Sequence, residues 1–192
     1  MEESKMSKRH KILLVGGSAG SLDVLMKVLP ELSRDLAFIV VLVLHRKNTD
    51  DSTLEELIAM KSTLPVREVE DKVELVPGNV YIAPSDYHLL FEKNGLLSLD
   101  ASEKVNYSRP SIDVIFESAA DVYGEMAIAV LLSGSNADGT DGLKAISEAG
   151  GVTIVQSPES AGMSFMPKSA LDAVKIDYVL EPEEMAAFLN RI

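Results

Sequence analysis

Two nearly unbroken aliphatic runs, Lys11 to Val15 (KILLV) and Leu36 to Leu44 (LAFIVVLVL), constrain this chain more than any other feature. A strand with one wetted face alternates apolar and polar residues. Runs without alternation belong to strands covered on both faces, as in a parallel sheet layered by helices. Between the two runs, Leu22, Leu25, Met26 and Leu29 recur at helical spacing and Pro30 ends the segment. The same alternation of element types returns later in the chain. A strand over Ala127 to Leu132 is followed by a helix from about Gly139 to Ala149 closed by Gly150. A strand Val152 to Val155, a helix near Lys168 to Ala173, a short strand Tyr178 to Leu180 and a final helix from Pro182 complete it. The predicted fold is a doubly wound, mainly parallel α/β sheet with helices on both faces.

The middle third reads differently. Ser52-Thr53-Leu54-Glu55 matches a capping box opening a helix through about Met60. Short β-type runs follow at Val66 to Val69, Val80 to Ala83, His88 to Phe91 and Leu96 to Leu99. Asn94-Gly95 between the last two predicts an antiparallel hairpin added to the sheet. Pro110 is expected to open a helix carrying Ile112, Ile115, Phe116 and Ala119 on one face, closing near Gly124.

Residues 1–10 are polar and charged and read as a flexible leader, leaving 11–192 as a single domain. Acidic Glu2 and Glu3 and the brevity of the run from Ile12 to Val15 argue against an export signal. Leu36 to Leu44 falls short of the roughly 20 residues that span a bilayer. The 18 basic residues against 30 acidic ones give a net charge of -12, which disfavours nucleic acid as a partner. Cysteine is absent, so disulfides, thiolate-bound metal and thiol catalysis are excluded and a reducing cytoplasm is the expected location.

The chemistry centres on Gly16-Gly17-Ser18-Ala19-Gly20, after the first strand and before the first helix. The dinucleotide pattern G-x-G-x-x-G fails in either frame, and the phosphate-loop pattern lacks its lysine. G-x-S-x-G fits: a serine on a sharp strand-to-helix turn, with small neighbours leaving room for a carbonyl and helix N–H groups for an oxyanion. A tight turn with a capping serine is the other reading of the same five residues.

A serine nucleophile needs a base. Of the three histidines, His10 lies in the leader and His88 in the hairpin region, where it reads as structural. His45 ends the second parallel strand, on the edge that also carries Ser18. The third member, a carboxylate, is sought in the loop Ser133 to Gly142 (SGSNADGTDG) after the strand ending at Leu132. An EF-hand frame starting at Asn136 fails there. Spacing leaves Asp138 and Asp141 as equal candidates, one of which could cap the next helix.

In this order and spacing the motifs resemble one family, the chemotaxis-type protein-glutamate methylesterases of the CheB catalytic-domain kind. The likeness runs from about Ile12 to Leu180. It is carried by GGSAG, by His45, by Leu75-Val76-Pro77-Gly78 with Tyr81-Ile82-Ala83-Pro84, by Arg109-Pro110-Ser111-Ile112-Asp113, by Leu131 to Gly142 and by Met166-Pro167. The resemblance implies Ser18 as nucleophile, His45 as general base and then acid, and Asp138 rather than Asp141 as the acid orienting His45. Backbone N–H groups of Ala19 and Ser135 are the implied oxyanion hole, with no metal and no cofactor. It implies hydrolysis of γ-glutamyl methyl esters on cytoplasmic helices of chemoreceptors to glutamate and methanol, with glutamine deamidation as a related activity.

The chain departs from the family pattern at Ala19 and Ser21 in the first loop, at Arg46-Lys47 where a Met-Pro step is usual, and at Ser135 where methionine is usual. The receiver domain common in the family has no counterpart in the ten-residue leader, so gating is expected to come from a separate protein, such as a response regulator or kinase, or to be absent. The other readings are a catalytically weak adaptor of the same fold and an esterase for a different ester.

Overall fold

The computed structural model describes residues 10–46 and 53–192. Seven parallel strands form one sheet: β1 (Ile12–Gly17), β2 (Ile39–Leu44), β3 (Val66–Glu68), β4 (Asn79–Ile82), β7 (Ala127–Leu131), β8 (Val152–Gln156) and β9 (Tyr178–Leu180), in the spatial order β3-β4-β2-β1-β7-β8-β9. A separate antiparallel pair, β5 (His88–Phe91) and β6 (Leu97–Asp100), is the hairpin. Six α-helices complete the chain: α1 (Ser21–Val28), α2 (Thr53–Lys61), α3 (Ile112–Tyr123), α4 (Thr140–Glu148), α5 (Phe165–Ala173) and α6 (Pro182–Leu189).

The missing alternation now has its physical cause. Along β1, Ile12 and Leu14 join one apolar cluster with Ile115 and Phe116 of α3, Leu143 of α4 and Met166 of α5. Leu13 and Val15 join the other, with Val24 and Leu25 of α1, Ile58 of α2 and Met185 of α6. Side chains still alternate between faces, but both faces meet helices, so every position must be apolar. All six residues of β2 are buried, and each such side chain contributes about 1.5–3 kcal/mol.

Several boundaries differ from expectation. β1 continues through both glycines of the serine turn, because Gly16 and Gly17 still pair with Val43 and Leu44 of β2. Pro30 does not stop the first helix outright but lies in a 3-10 turn, Leu29–Glu31. Pro110 does not open α3; Ser111 is its N-cap and accepts from the Val114 N–H at 3.5 Å. α5 begins at Phe165, one turn earlier than expected, with Pro167 where a missing N–H is harmless. Ser52 of the expected capping box lies outside the described residues, whereas a capping box joins Glu181 and Glu184 of α6. In the hairpin only Gly95, at φ 87°, takes the left-handed conformation: the Gly95 N–H donates to Glu92 O at 3.0 Å, so Gly95 relieves the twist alone.

From β1 the chain order moves outward through β2 on one side and through β7 on the other. That reversal opens a crevice at the C-terminal ends of β1, β2 and β7, where doubly wound sheets place their ligands. No helix among the described residues is long and apolar enough to cross a membrane.

Candidate active site

Three loops meet at this crevice. Ser18 follows β1, His45 follows β2 and Asp138 stands between β7 and α4. Sheet pairing sets the first spacing: the His45 N–H donates to Gly17 O at 3.1 Å, extending the β1–β2 ladder by one rung to the residue before Ser18. His45 is largely buried and Asp138 wholly so, and His45 Nε2 lies 2.7 Å from Asp138 Oδ2. Asp141 is exposed in the first turn of α4, away from that contact.

The N-terminus of α3 is aimed at Asp138. The Ile112 N–H donates to Oδ2 at 2.7 Å, the Asp113 N–H to Oδ1 at 3.1 Å and the Ser111 hydroxyl to Oδ1 at 2.9 Å. A carboxylate at a helix N-terminus is favoured both by these donors and by the helix dipole. Burial pushes Asp138 up, but the hydrogen bonds from His45, Ile112 and Asp113 outweigh it and hold the carboxyl at about 2. His88 supports this arrangement from behind. It is buried, its Nδ1 accepts from the Ser111 N–H at 3.2 Å and its Nε2 donates to Glu103 O at 2.9 Å, so both ring nitrogens are satisfied as a neutral tautomer.

With Asp138 on Nε2, the free ring nitrogen of His45 is Nδ1. The hydroxyl found 3.4 Å from it belongs to Ser108; among the described residues no hydrogen bond joins the Ser18 side chain to His45. The serine turn itself is fixed from β7. The Ser18 N–H donates to Ser133 O at 2.9 Å, and Ser133 Oγ donates to Ala19 O at 2.7 Å while accepting from the Met163 N–H at 2.8 Å. The Ser133 N–H donates in turn to buried Gln156 Oε1 at 3.0 Å. Gly20 completes the turn at φ 84°, where a Cβ would fall 2.7 Å from Ser133 Oγ, so glycine is required there. The Ser18 N–H and the Gly134 N–H are both occupied, the latter by Met163 O at 3.0 Å. The N–H groups of Ala19 and Ser135 have no protein acceptor among the described residues.

A cleft of about 470 Å³ opens beside His45, lined by Arg46, Asp86, Lys104, Tyr107, Ser108 and Arg109. Arg46, at a position where the sequence departs from the family pattern, pairs with Glu68 at 2.5 Å. No group of three or more His, Asp or Glu side chains among the described residues could hold a metal ion.

Sequence reasoning assigned no role to Asn106, Ser108, Asp113, Ser133 or Gln156. Their signal is hydrogen bonding across the fold, joined by burial for Asp113, Ser133 and Gln156, and spacing along a chain carries neither. The Ser-Ile-Asp step after Pro110 was the one local hint, since Ser, Asp and Asn favour helix starts.

Comparison with known proteins agrees with this architecture. The family model described as CheB methylesterase matches residues 13–189. A Leptospira interrogans protein, provisionally named protein-glutamate methylesterase/protein-glutamine glutaminase, is 39% identical over 183 residues, covering 95% of this chain and 95% of that protein. The protein-glutamate methylesterase/protein-glutamine glutaminase of Thermotoga maritima is 37% identical over 180 residues, 92% of this chain and 52% of its own length. The crystal structure of the Thermotoga maritima CheB methylesterase catalytic domain superposes with a TM-score of 0.91 at 34% identity, covering 95% of this chain and 98% of that one. A match spanning nearly the whole chain in sequence and in backbone leaves one assignment: the chain belongs to the CheB methylesterase family.

Proposed function

We propose that residues 11–192 act as one serine-dependent catalytic domain that hydrolyses γ-glutamyl methyl esters on proteins, with deamidation of glutamine as its second activity. Ser18 Oγ attacks the ester carbonyl carbon and its proton passes to His45 Nδ1, the ring nitrogen not held by Asp138. Asp138 stabilises the imidazolium through Nε2. The carbonyl oxygen becomes an oxyanion facing the N–H groups of Ala19 and Ser135. Collapse breaks the bond to the methoxy oxygen, which leaves as methanol with the proton from His45. Water, deprotonated by His45, then releases glutamate and restores Ser18. With a glutamine side chain the leaving group is ammonia.

The His45–Asp138 contact at 2.7 Å, one ladder rung from the serine turn, carries this reading. The Ser18 side chain makes no hydrogen bond to His45 among the described residues, and catalytic bonds of this kind are often completed only in the Michaelis complex. The substrate we infer is the methylated cytoplasmic helices of a chemoreceptor, in the cytoplasm.

Methanol release from a methylated receptor fragment tests the reading, together with a fluorophosphonate probe mapped by mass spectrometry. Labelling at Ser18, and loss of turnover in Ser18→Ala and His45→Ala, are expected. Labelling at Ser108 instead would move the nucleophile to the hydroxyl 3.4 Å from His45 Nδ1. Absence of labelling and of turnover would favour an adaptor of the same fold.

A further inference from the structure

Two buried carboxylates stand together behind the base, and the reaction needs only one of them on His45. Asp113 accepts from the Gly139 and Gly142 N–H groups at 2.8 and 2.7 Å, beside Asp138. Adjacent carboxylates raise each other's proton affinity, and a proton shared between them would weaken the charge behind His45. Burial first, and then the neighbouring Asp138, push Asp113 up to about 7 against the pull of the Gly142 and Gly139 N–H groups.

A primary amide can donate one hydrogen to each of two acceptors at once. Asn106 Nδ2 lies 2.8 Å from Asp113 Oδ2 and 3.4 Å from Asp138 Oδ1. The backbone is built to deliver it. Val105 and Ser108 pair through N–H to O bonds of 3.2 and 2.9 Å around Asn106 at φ 51° and Tyr107 at φ 61°, a type I′ turn. Tyr107 at the tip is 99% exposed, so the turn adds no aromatic ring to the core. Asn106 stays exposed on the turn while its amide reaches down onto both carboxylates, and half-buried Ser108 faces His45.

We propose that Asn106 is a positioning residue for the triad, its amide bridging Asp113 and Asp138 so that the carboxylate on His45 stays ionised and aimed. The inference rests on the acyl-transfer reading above for its kinetic consequences, but not for its electrostatic ones. Among the described residues, the other ionisable groups around the pair are His45 at the end of β2, His88 of β5 behind Ser111 and Glu117 on α3, with Arg46, Lys104, Arg109 and Asp86 across the cleft.

Asn106→Gly is the test, because glycine keeps the left-handed backbone and removes only the amide. Carboxyl ¹³C NMR titration should show the upper step of the Asp113–Asp138 pair moved to higher pH than in the wild type. In ester hydrolysis kcat should fall about tenfold with KM nearly constant, and the loss should deepen as pH falls, which simple loosening of a turn would not produce. An unmoved upper step in folded Asn106→Gly overturns the inference, whether or not the wild type hydrolyses an ester. A moved step alongside a wild type without hydrolysis supports the bridge and counts against the acyl-transfer reading alone. Should Asn106→Gly fail to fold, Asn106→Ser, whose hydroxyl reaches at most one carboxylate, is read by the same titration.

Discussion

Asp113 and Asp138 trade helix ends: Asp138, which precedes α4, accepts the N–H groups of Ile112 and Asp113 that start α3, while Asp113 accepts the N–H groups of Gly139 and Gly142 that start α4. Each carboxylate therefore satisfies donors that its neighbour's helix would otherwise leave orphaned. Neither helix can shift without disturbing the acid that faces His45. Stability and chemistry are coupled at this pair.

Asp138→Asn should abolish most turnover, by roughly 10³- to 10⁴-fold in kcat, because an amide on Nε2 neither fixes the tautomer nor stabilises the imidazolium. It should also lower stability by about 1–3 kcal/mol, since one α3 donor then faces an NH₂ group. Steady-state kinetics and urea unfolding on the same preparation check both. Full turnover in a folded Asp138→Asn would remove Asp138 from the mechanism.

The two carboxylates give stability opposite pH dependences. Asp113 is raised from 3.8 to about 7, so between these values the folded chain holds a proton that the unfolded chain has released. Stability from this group is greatest below 3.8 and declines as pH rises towards about 7. Asp138 is lowered to about 2, and its contribution is present above 3.8 and lost as pH falls through about 2. Calorimetry from about pH 4.5 to about pH 8 should find Tm falling as pH rises in the wild type. In Asp113→Asn that slope should flatten, with the share from the raised Glu117 remaining.

Gly20→Ala should destabilise by about 1–3 kcal/mol, from the left-handed φ of 84° and a Cβ only 2.7 Å from Ser133 Oγ. The displaced Ser133 also holds Ala19, so kcat should fall more than KM changes. Denaturant melts and hydrolysis assays check this; an active, equally stable Gly20→Ala would mean the turn tolerates another geometry.

The parallel sheet was readable because covering both faces leaves no room for polar residues, as the clusters above and below β1 and β2 demonstrate. That the loops of Ser18, His45 and the Ser133–Gly142 segment share one rim followed from strand-end logic alone. Asp138 and Asp141 could not be separated by spacing, since both lie in one acidic loop; burial separates them, and burial depends on α3 arriving from elsewhere in the chain. Asn106 and Ser108 were invisible for a similar reason. Their turn has no periodicity, and its partners lie from 7 to 63 residues away. Pro110 suggests a helix opener, whereas Ser111 caps α3 and donates its hydroxyl to Asp138.

The β1–β2 ladder, running without a break from Ile12 opposite Ile39 to Gly17 opposite Leu44, acts as a ruler that sets the spacing of Ser18 and His45. Inserting or deleting one residue in β2 would carry His45 about 3.3 Å along the sheet and turn its side chain to the opposite face. Apolar exchanges within that strand can be absorbed by repacking, but a change in its length cannot. Divergence in such a chain is free to alter what fills the core and is barred from altering how many residues cross it.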